Sequence, residues 1–214
     1  YRTSAQVLNL SSLSESIVRR FRSEMAAQAL NAASSALLLI ILARLLSTNQ
    51  YGQLYLALSI FSLLGIFASL GIPGSTARYI SEYKDGEDNQ THHIISISFK
   101  ICLVLASTVT IAVYLSSHRL SKFLGDPGLA TVLVFGSPYI LLFTIFRYDR
   151  KVLQGFEEIS QASVVKIVFD IGKLVFAVGL VAAGFGAVGG IVGYVLGAGI
   201  SASVGLSLVH ANYS

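Results

Sequence analysis

The sequence predicts an all-α integral membrane protein of six transmembrane helices, on three observations. Charged residues make up only 12% of the chain and hydrophobic ones 54%, against about 25% charged in an ordinary soluble domain. Mean hydropathy is +0.71. From Tyr51 to Ile72 no residue carries a charge, a run of 22, and at ~1.5 Å rise per residue that length matches the ~30 Å hydrocarbon core of a bilayer. The 214 residues suit about six such spans and leave little room for a soluble domain.

Several classes drop out. The net charge of +4 is modest, and no basic run is long enough to track nucleic acid. The single cysteine, Cys102, lies inside an apolar run, so cysteines offer neither a disulfide nor a metal site. No cofactor is expected, and no metal. The opening YRTSAQVLNLSSLSES lacks the apolar core of a signal peptide. Starting at Tyr1 and stopping just after an apolar run, the chain reads as a piece of a longer one.

Residues 1–22 read as a cytoplasmic amphipathic segment. Leu10, Leu13, Ile17 and Phe21 fall on one helical face, with Arg19, Arg20 and Arg22 beside them. The membrane lobe follows over residues 23–210, with 211–214 a cytoplasmic end. Its first span, about 23–46, carries Gln28, Asn31 and Ser35 on one face. The second, 51–72, carries Tyr55, Ser59, Ser62 and Ser69. Such polar stripes should face protein or water rather than lipid. A Gly-Ile-Pro-Gly break and a short amphipathic stretch with Arg78, Glu82 and Lys84 come next.

The third span, about 94–116, follows the hydrophilic loop DGEDNQTHH and places Ser96, Lys100, Ser107 and Tyr114 together. Residues 117–128 read as a loop with an Asp126-Pro127-Gly128 turn. The fourth span, 129–146, should kink at Pro138, which removes a backbone donor. The connection RYDRKVLQGFEEISQ is short and charged. The fifth span is 162–183. The sixth, 186–209, is charge-free and has small residues at every fourth place, Gly189, Gly193, Gly197, Ser201 and Gly205. Such a ridge lets helix backbones approach closely.

Lysine and arginine set the orientation. With the N-terminus inside, inner segments hold nine and outer segments three, so both ends are expected in the cytoplasm of a cell-membrane protein. The sequons at Asn9, Asn89 and Asn212 then all lie inside, and His92-His93 has no further ligands at metal spacing.

The most expensive residues in this pattern are Lys166, Asp170 and Lys173. They share one face of the fifth helix as a plus-minus-plus row, and Asp170 is the only carboxylate expected to be buried. A charge at mid-membrane costs ~2.5–3.5 kcal/mol on the insertion scale. Either the row neutralises itself, or it faces a cavity with Lys173 binding a phosphate or sugar acid and Asp170 holding the lysine or accepting a proton. An ion pair is a poor substitute for leucine unless something needs it. Lys100, Arg78 and Arg44 are further candidates for an anionic substrate, although each stem is long enough to snorkel to an interface.

A family resemblance rests on two patches. Ala43-Arg44-Leu45-Leu46, a short turn into Tyr51-Gly52, and a span closing on Leu70-Gly71-Ile72-Pro73 and Arg78 resemble the first hairpin of prokaryotic polysaccharide flippases. Leu153-Gln154-Gly155-Phe156 and Gly184-Phe185-Gly186 agree with it. The resemblance implies a six-helix N-terminal lobe of a MATE/flippase-like fold, a C-terminal lobe on the full chain, and alternating access. It implies a flippase for lipid-linked oligosaccharide, with a polyprenyl-linked glycan and membrane lipids as partners and no enzymatic activity. It also puts Arg44 and Arg78 near the cavity. A MATE-like antiporter for small organic cations is the alternative, and it would want an acidic, aromatic-rich cavity. A glycosyltransferase would want acidic loop residues, but no Asp-x-Asp occurs and the first outer turn is STNQ.

Overall fold

A computed structural model describes residues 35–83 and 88–213. The amphipathic segment 1–22, the first half of the first span with Gln28 and Asn31, and residues 84–87 lie outside the described part. Contacts divide the chain into two units, Tyr1–Ile41 and Leu42–Ser214. Of the first unit, residues 35–41 are described and are helical. The second unit holds Lys166, Asp170 and Lys173.

Among the described residues every regular element is a helix: α1 (Ser35–Leu45), α2 (Thr48–Ser69), α3 (Ile72–Tyr83), α4 (Asp88–Phe123), α5 (Leu129–Gly136), α6 (Pro138–Gly155), α7 (Ile159–Leu180) and α8 (Gly186–Tyr213). Four helical stretches are long and apolar enough to cross a membrane: Thr48–Ser69, His92–Phe123, Leu129–Gly155 and Ile159–Ala211. This is a membrane protein. The last stretch, 53 residues, would be far longer than a bilayer is thick if straight. It folds back on itself as α7 and α8.

Local chemistry places each break. Ser47 caps α2 in a capping box, accepting from the Gln50 backbone while the Gln50 side chain accepts from the Ser47 backbone. Leu70 and Gly71 both take positive φ, 44° and 75°, ending α2 in a left-handed turn. Proline in the first turn of α3 costs no hydrogen bond there, since that N–H has no helical partner. The helix α3 is amphipathic: Pro73, Thr76 and Ile80 are buried, and Arg78 and Glu82 are exposed.

At the other end of α2, Gln53 donates to both carboxylate oxygens of Asp126, at 2.8 and 3.0 Å. Asp126 also accepts from the Gly128 backbone at 2.9 Å. The expected turn is therefore an Asx turn tied down by α2. Pro138 separates α5 from α6, yet Ser137 keeps helical φ and ψ and still donates to Leu133. That makes a kink rather than a loop.

Two expected boundaries move. Helix α4 starts at Asp88 and runs to Phe123, so His92-His93 lies on a helix and not in a loop, and residues 117–123 continue the helix. Helix α6 runs to Gly155, so most of the connection expected after residue 146 is helical and packed. Tyr148, Asp149, Val152 and Leu153 are buried, and a Cβ on Gly155 would stand 2.8 Å from the Ala77 carbonyl of α3. Polar sequence continues both helices because neighbouring helices cover one face of each.

The tightest seam joins α7 to α8. The chain reverses through a π-helical turn at Val181–Phe185, where Gly184 (φ 95°) and Gly186 (φ 54°) adopt angles that side chains resist. Beyond it the glycine ridge meets backbone directly. A Cβ on Gly197 would lie 2.6 Å from the Lys173 nitrogen, and one on Gly172 would lie 3.1 Å from the Gly197 Cα. Ser201 donates from its hydroxyl to the Val165 carbonyl at 2.6 Å. The outward side of α7 is apolar, with Ile167, Ile171 and Val175 exposed. In water that face would be a liability, and in lipid it is the expected one.

Replacing Gly193, which faces the Ala177 backbone, with valine should therefore lower stability by at least the ~1–3 kcal/mol typical of overpacking. Gly65→Ala, into open space, should change little. Thermal melts of the purified protein in detergent compare the two, and equal melting temperatures would contradict the seam.

Candidate functional site

Helical spacing brings Lys166, Asp170 and Lys173 into one cluster. Lys166 Nζ donates to Asp170 Oδ2 at 2.6 Å, and Lys173 Nζ donates to Oδ1 at 2.7 Å. The three side chains retain 30%, 17% and 13% exposure, so the cluster is largely withdrawn from solvent but reachable. Each carboxylate oxygen holds one lysine. The row is thus a two-sided clamp on a single aspartate.

Aromatic rings extend the cluster into α6. Lys173 Nζ sits 4.9 Å above the Phe169 ring, Phe169 stacks on Phe146 at 4.7 Å, and the Arg150 guanidinium lies 5.6 Å from the Phe146 ring. Two cations therefore bracket two stacked rings, an arrangement favoured by the negative ring faces. The field of Asp170 reaches Arg150 as well. The buried Nε of Arg150 has no hydrogen-bond partner. Two lysines hold one carboxylate, and a third cation stands across the ring pair.

The aromatic row continues away from the cluster. Phe143 contacts Phe146 and Phe169, Tyr139 stacks on Phe143 at 5.0 Å, and Tyr194 of α8 meets Tyr139 edge-on at 6.0 Å. Tyr194 also lies near Tyr55 on α2, which packs on Tyr51 at 4.5 Å. A seam of rings thus links α2, α8, α6 and α7.

The other expected residues scatter. Tyr55 is half-buried at the end of that seam; Ser59 bonds back to the Tyr55 carbonyl at 2.8 Å; Ser62 and Ser35 are exposed. Lys100 on α4, Arg78 on α3 and Arg44 on α1 are exposed and make no ion pair with a described residue. The structure does not bring them to the cluster. Gln28 and Asn31 fall outside the described residues. Among those described, no three His, Cys, Asp or Glu side chains gather as a metal-ligand set.

The sequence did not single out Arg150 or Asp149. Both sit in RYDRK, which reads as part of a charged connection between spans. Asp170 is consequently not the only carboxylate within the bundle: Asp149 is completely buried on α6, and neither of its oxygens has a hydrogen-bond partner. The available signal was the spacing of Tyr148, Val152 and Gly155, which continues the apolar face of α6 past the charges.

Asp170→Asn would strand two lysines, and leaving such groups without their acceptor costs about 1–3 kcal/mol. The melting temperature should fall accordingly, and simultaneous replacement of Lys166, Asp170 and Lys173 by leucine should restore it. A triple variant less stable than Asp170→Asn would contradict the clamp.

Residues 17–213 match the family described as polysaccharide biosynthesis protein. No curated protein and no solved structure gives a significant match.

Proposed function

This chain belongs to the polysaccharide biosynthesis protein family, and from that premise we propose that it is one lobe of a flippase for lipid-linked glycan precursors. The observation that supports this most is the α7 row, where Lys166 and Lys173 share the carboxylate of Asp170, with Arg150 across the Phe169–Phe146 ring pair. An excess of cations in a membrane bundle matches a phosphate-bearing head group, because phosphate offers several acceptor oxygens to charge-assisted bonds.

In this reading Asp170 holds Lys166 and Lys173 extended until substrate arrives. A diphosphate then bonds to both ammonium groups and draws Arg150 from the Phe146 ring. The hydroxyls of Tyr55, Ser59 and Ser62 receive the sugar units. Lys100, Arg78 and Arg44 serve as approach points for the anion nearer the surfaces. The polyprenyl tail stays in lipid throughout.

Six spans with both ends in the cytoplasm of the cell membrane form the lobe: α1 with the residues before it, α2, α4, α5 with α6, α7 and α8. A C-terminal lobe on the full chain encloses the cavity from the other side. Rocking of the two MATE-like lobes opens that cavity to each face in turn. Such a protein is a transporter and forms no covalent intermediate. The cation excess counts against a MATE-like antiporter of organic cations, which the three basic groups would repel.

In cells lacking the gene, lipid extracts should accumulate completed glycan on its polyprenyl carrier while surface glycan falls. Lys173→Ala should reproduce this with the protein still in the membrane. Unchanged lipid-linked glycan together with new sensitivity to cationic dyes would overturn the flippase reading in favour of the antiporter.

A further inference from the structure

A cavity of 510 Å³ opens between α4, α6 and α8, with His92, Ser96, Phe99, Tyr148, Asp149 and His210 among its lining residues. It shares no lining residue with the Lys166–Asp170–Lys173 cluster. Asp149 is the anomaly in it. The side chain is 0% exposed, and both carboxylate oxygens lack a partner.

Helix α8 makes room for that side chain. A Cβ on Gly205 would stand 2.7 Å from Asp149 Oδ2 and 2.8 Å from its Cβ, so only glycine leaves space there. The groups around it do not neutralise it. Tyr148, next to it on α6, donates its hydroxyl to the Ile95 carbonyl at 2.7 Å and shares a 2.7 Å contact with Ser98. Arg150 points to the Phe146 ring. His92 from α4 and His210 from α8 line the cavity on exposed positions without reaching the carboxylate.

An ionised carboxylate sealed from water with neither donor nor counter-ion is too costly to persist. Something positive must join it, and the cavity is the way in. We propose that Asp149 and this cavity form a binding site for one small monovalent cation, a proton or a sodium ion, entering past His92 and His210. Two carboxylate oxygens and the Ser96 hydroxyl offer sodium its hard oxygen ligands. The two imidazoles at the mouth suit the passage of a proton. Occupancy is felt at the helix contact: a neutralised Asp149 packs against Gly205, and a charged one is drawn toward the cavity and loosens α8 from α6.

The test uses purified full-length protein, wild type and Asp149→Asn, melted in sodium chloride and in choline chloride at equal ionic strength, from acid to neutral pH. A wild-type melting temperature raised by sodium and insensitive in Asp149→Asn identifies sodium. A temperature that depends on pH alone, again lost in Asp149→Asn, identifies the proton. The same responses in both proteins, or none in wild type, overturn the site. Should Asp149→Asn fail to fold, dicyclohexylcarbodiimide, an apolar reagent for buried protonated carboxyls, decides on wild type by peptide mass spectrometry. Labelling of Asp149 that sodium blocks supports the sodium site, and labelling that falls only with rising pH supports the proton site. An Asp149 that stays unlabelled, or is labelled regardless of both, overturns it.

Discussion

Where α7 and α8 touch, backbone lies on backbone, and the rest of the bundle is arranged around that contact. Gly172, Gly193 and Gly197 remove the side chains that would hold the helices apart, and Ser201 bonds across to Val165. Lipid tails are as apolar as leucine, so burying apolar surface does little to drive helices together in a membrane. Close packing and a few polar contacts do that instead. With α8 pressed to one side of α7 and lipid-facing isoleucines on the other, the Lys166–Asp170–Lys173 face meets α6 through the Phe169–Phe146 stack.

Two carboxylates in the same bundle then have opposite fates. Asp170 is clamped by two lysines and sits in a field of cations. Asp149 has no hydrogen-bond partner among the described residues and lies against Gly205. The difference comes from helix spacing alone. Lysines four before and three after Asp170 fall on its own face, whereas Arg150 and Lys151 follow Asp149 directly and point elsewhere. One acid is held between two cations, and the other faces none among the described residues.

Much of the fold was legible in the sequence. The charge-free run from Tyr51 to Ile72, the break at Leu70-Gly71, the kink at Pro138, the Asp126 turn and the glycine ridge each have a local chemical cause, and each appears where its residues stand. The ion row was legible too, since helical spacing is enough to bring its members together. The ends of α4 and α6 were not. A helix that emerges from lipid yet stays packed on α3 and α8 can carry charges on its free face, and a hydropathy reading then mistakes it for a loop. Asp149, Arg150 and the cavity at His92 and His210 were hidden for that reason. Their burial depends on residues such as Ala77 and Gly205, far away in sequence.

Translocation itself is the most direct test of what these features are for. Full-length protein in sealed proteoliposomes, with polyprenyl-linked oligosaccharide labelled in both leaflets, can be challenged with an impermeant glycan oxidant. If the chain is a lobe of a lipid-linked glycan flippase, the protected inner-leaflet pool should be consumed only in vesicles that contain the protein. A pool equally protected with and without the protein would contradict the flippase assignment.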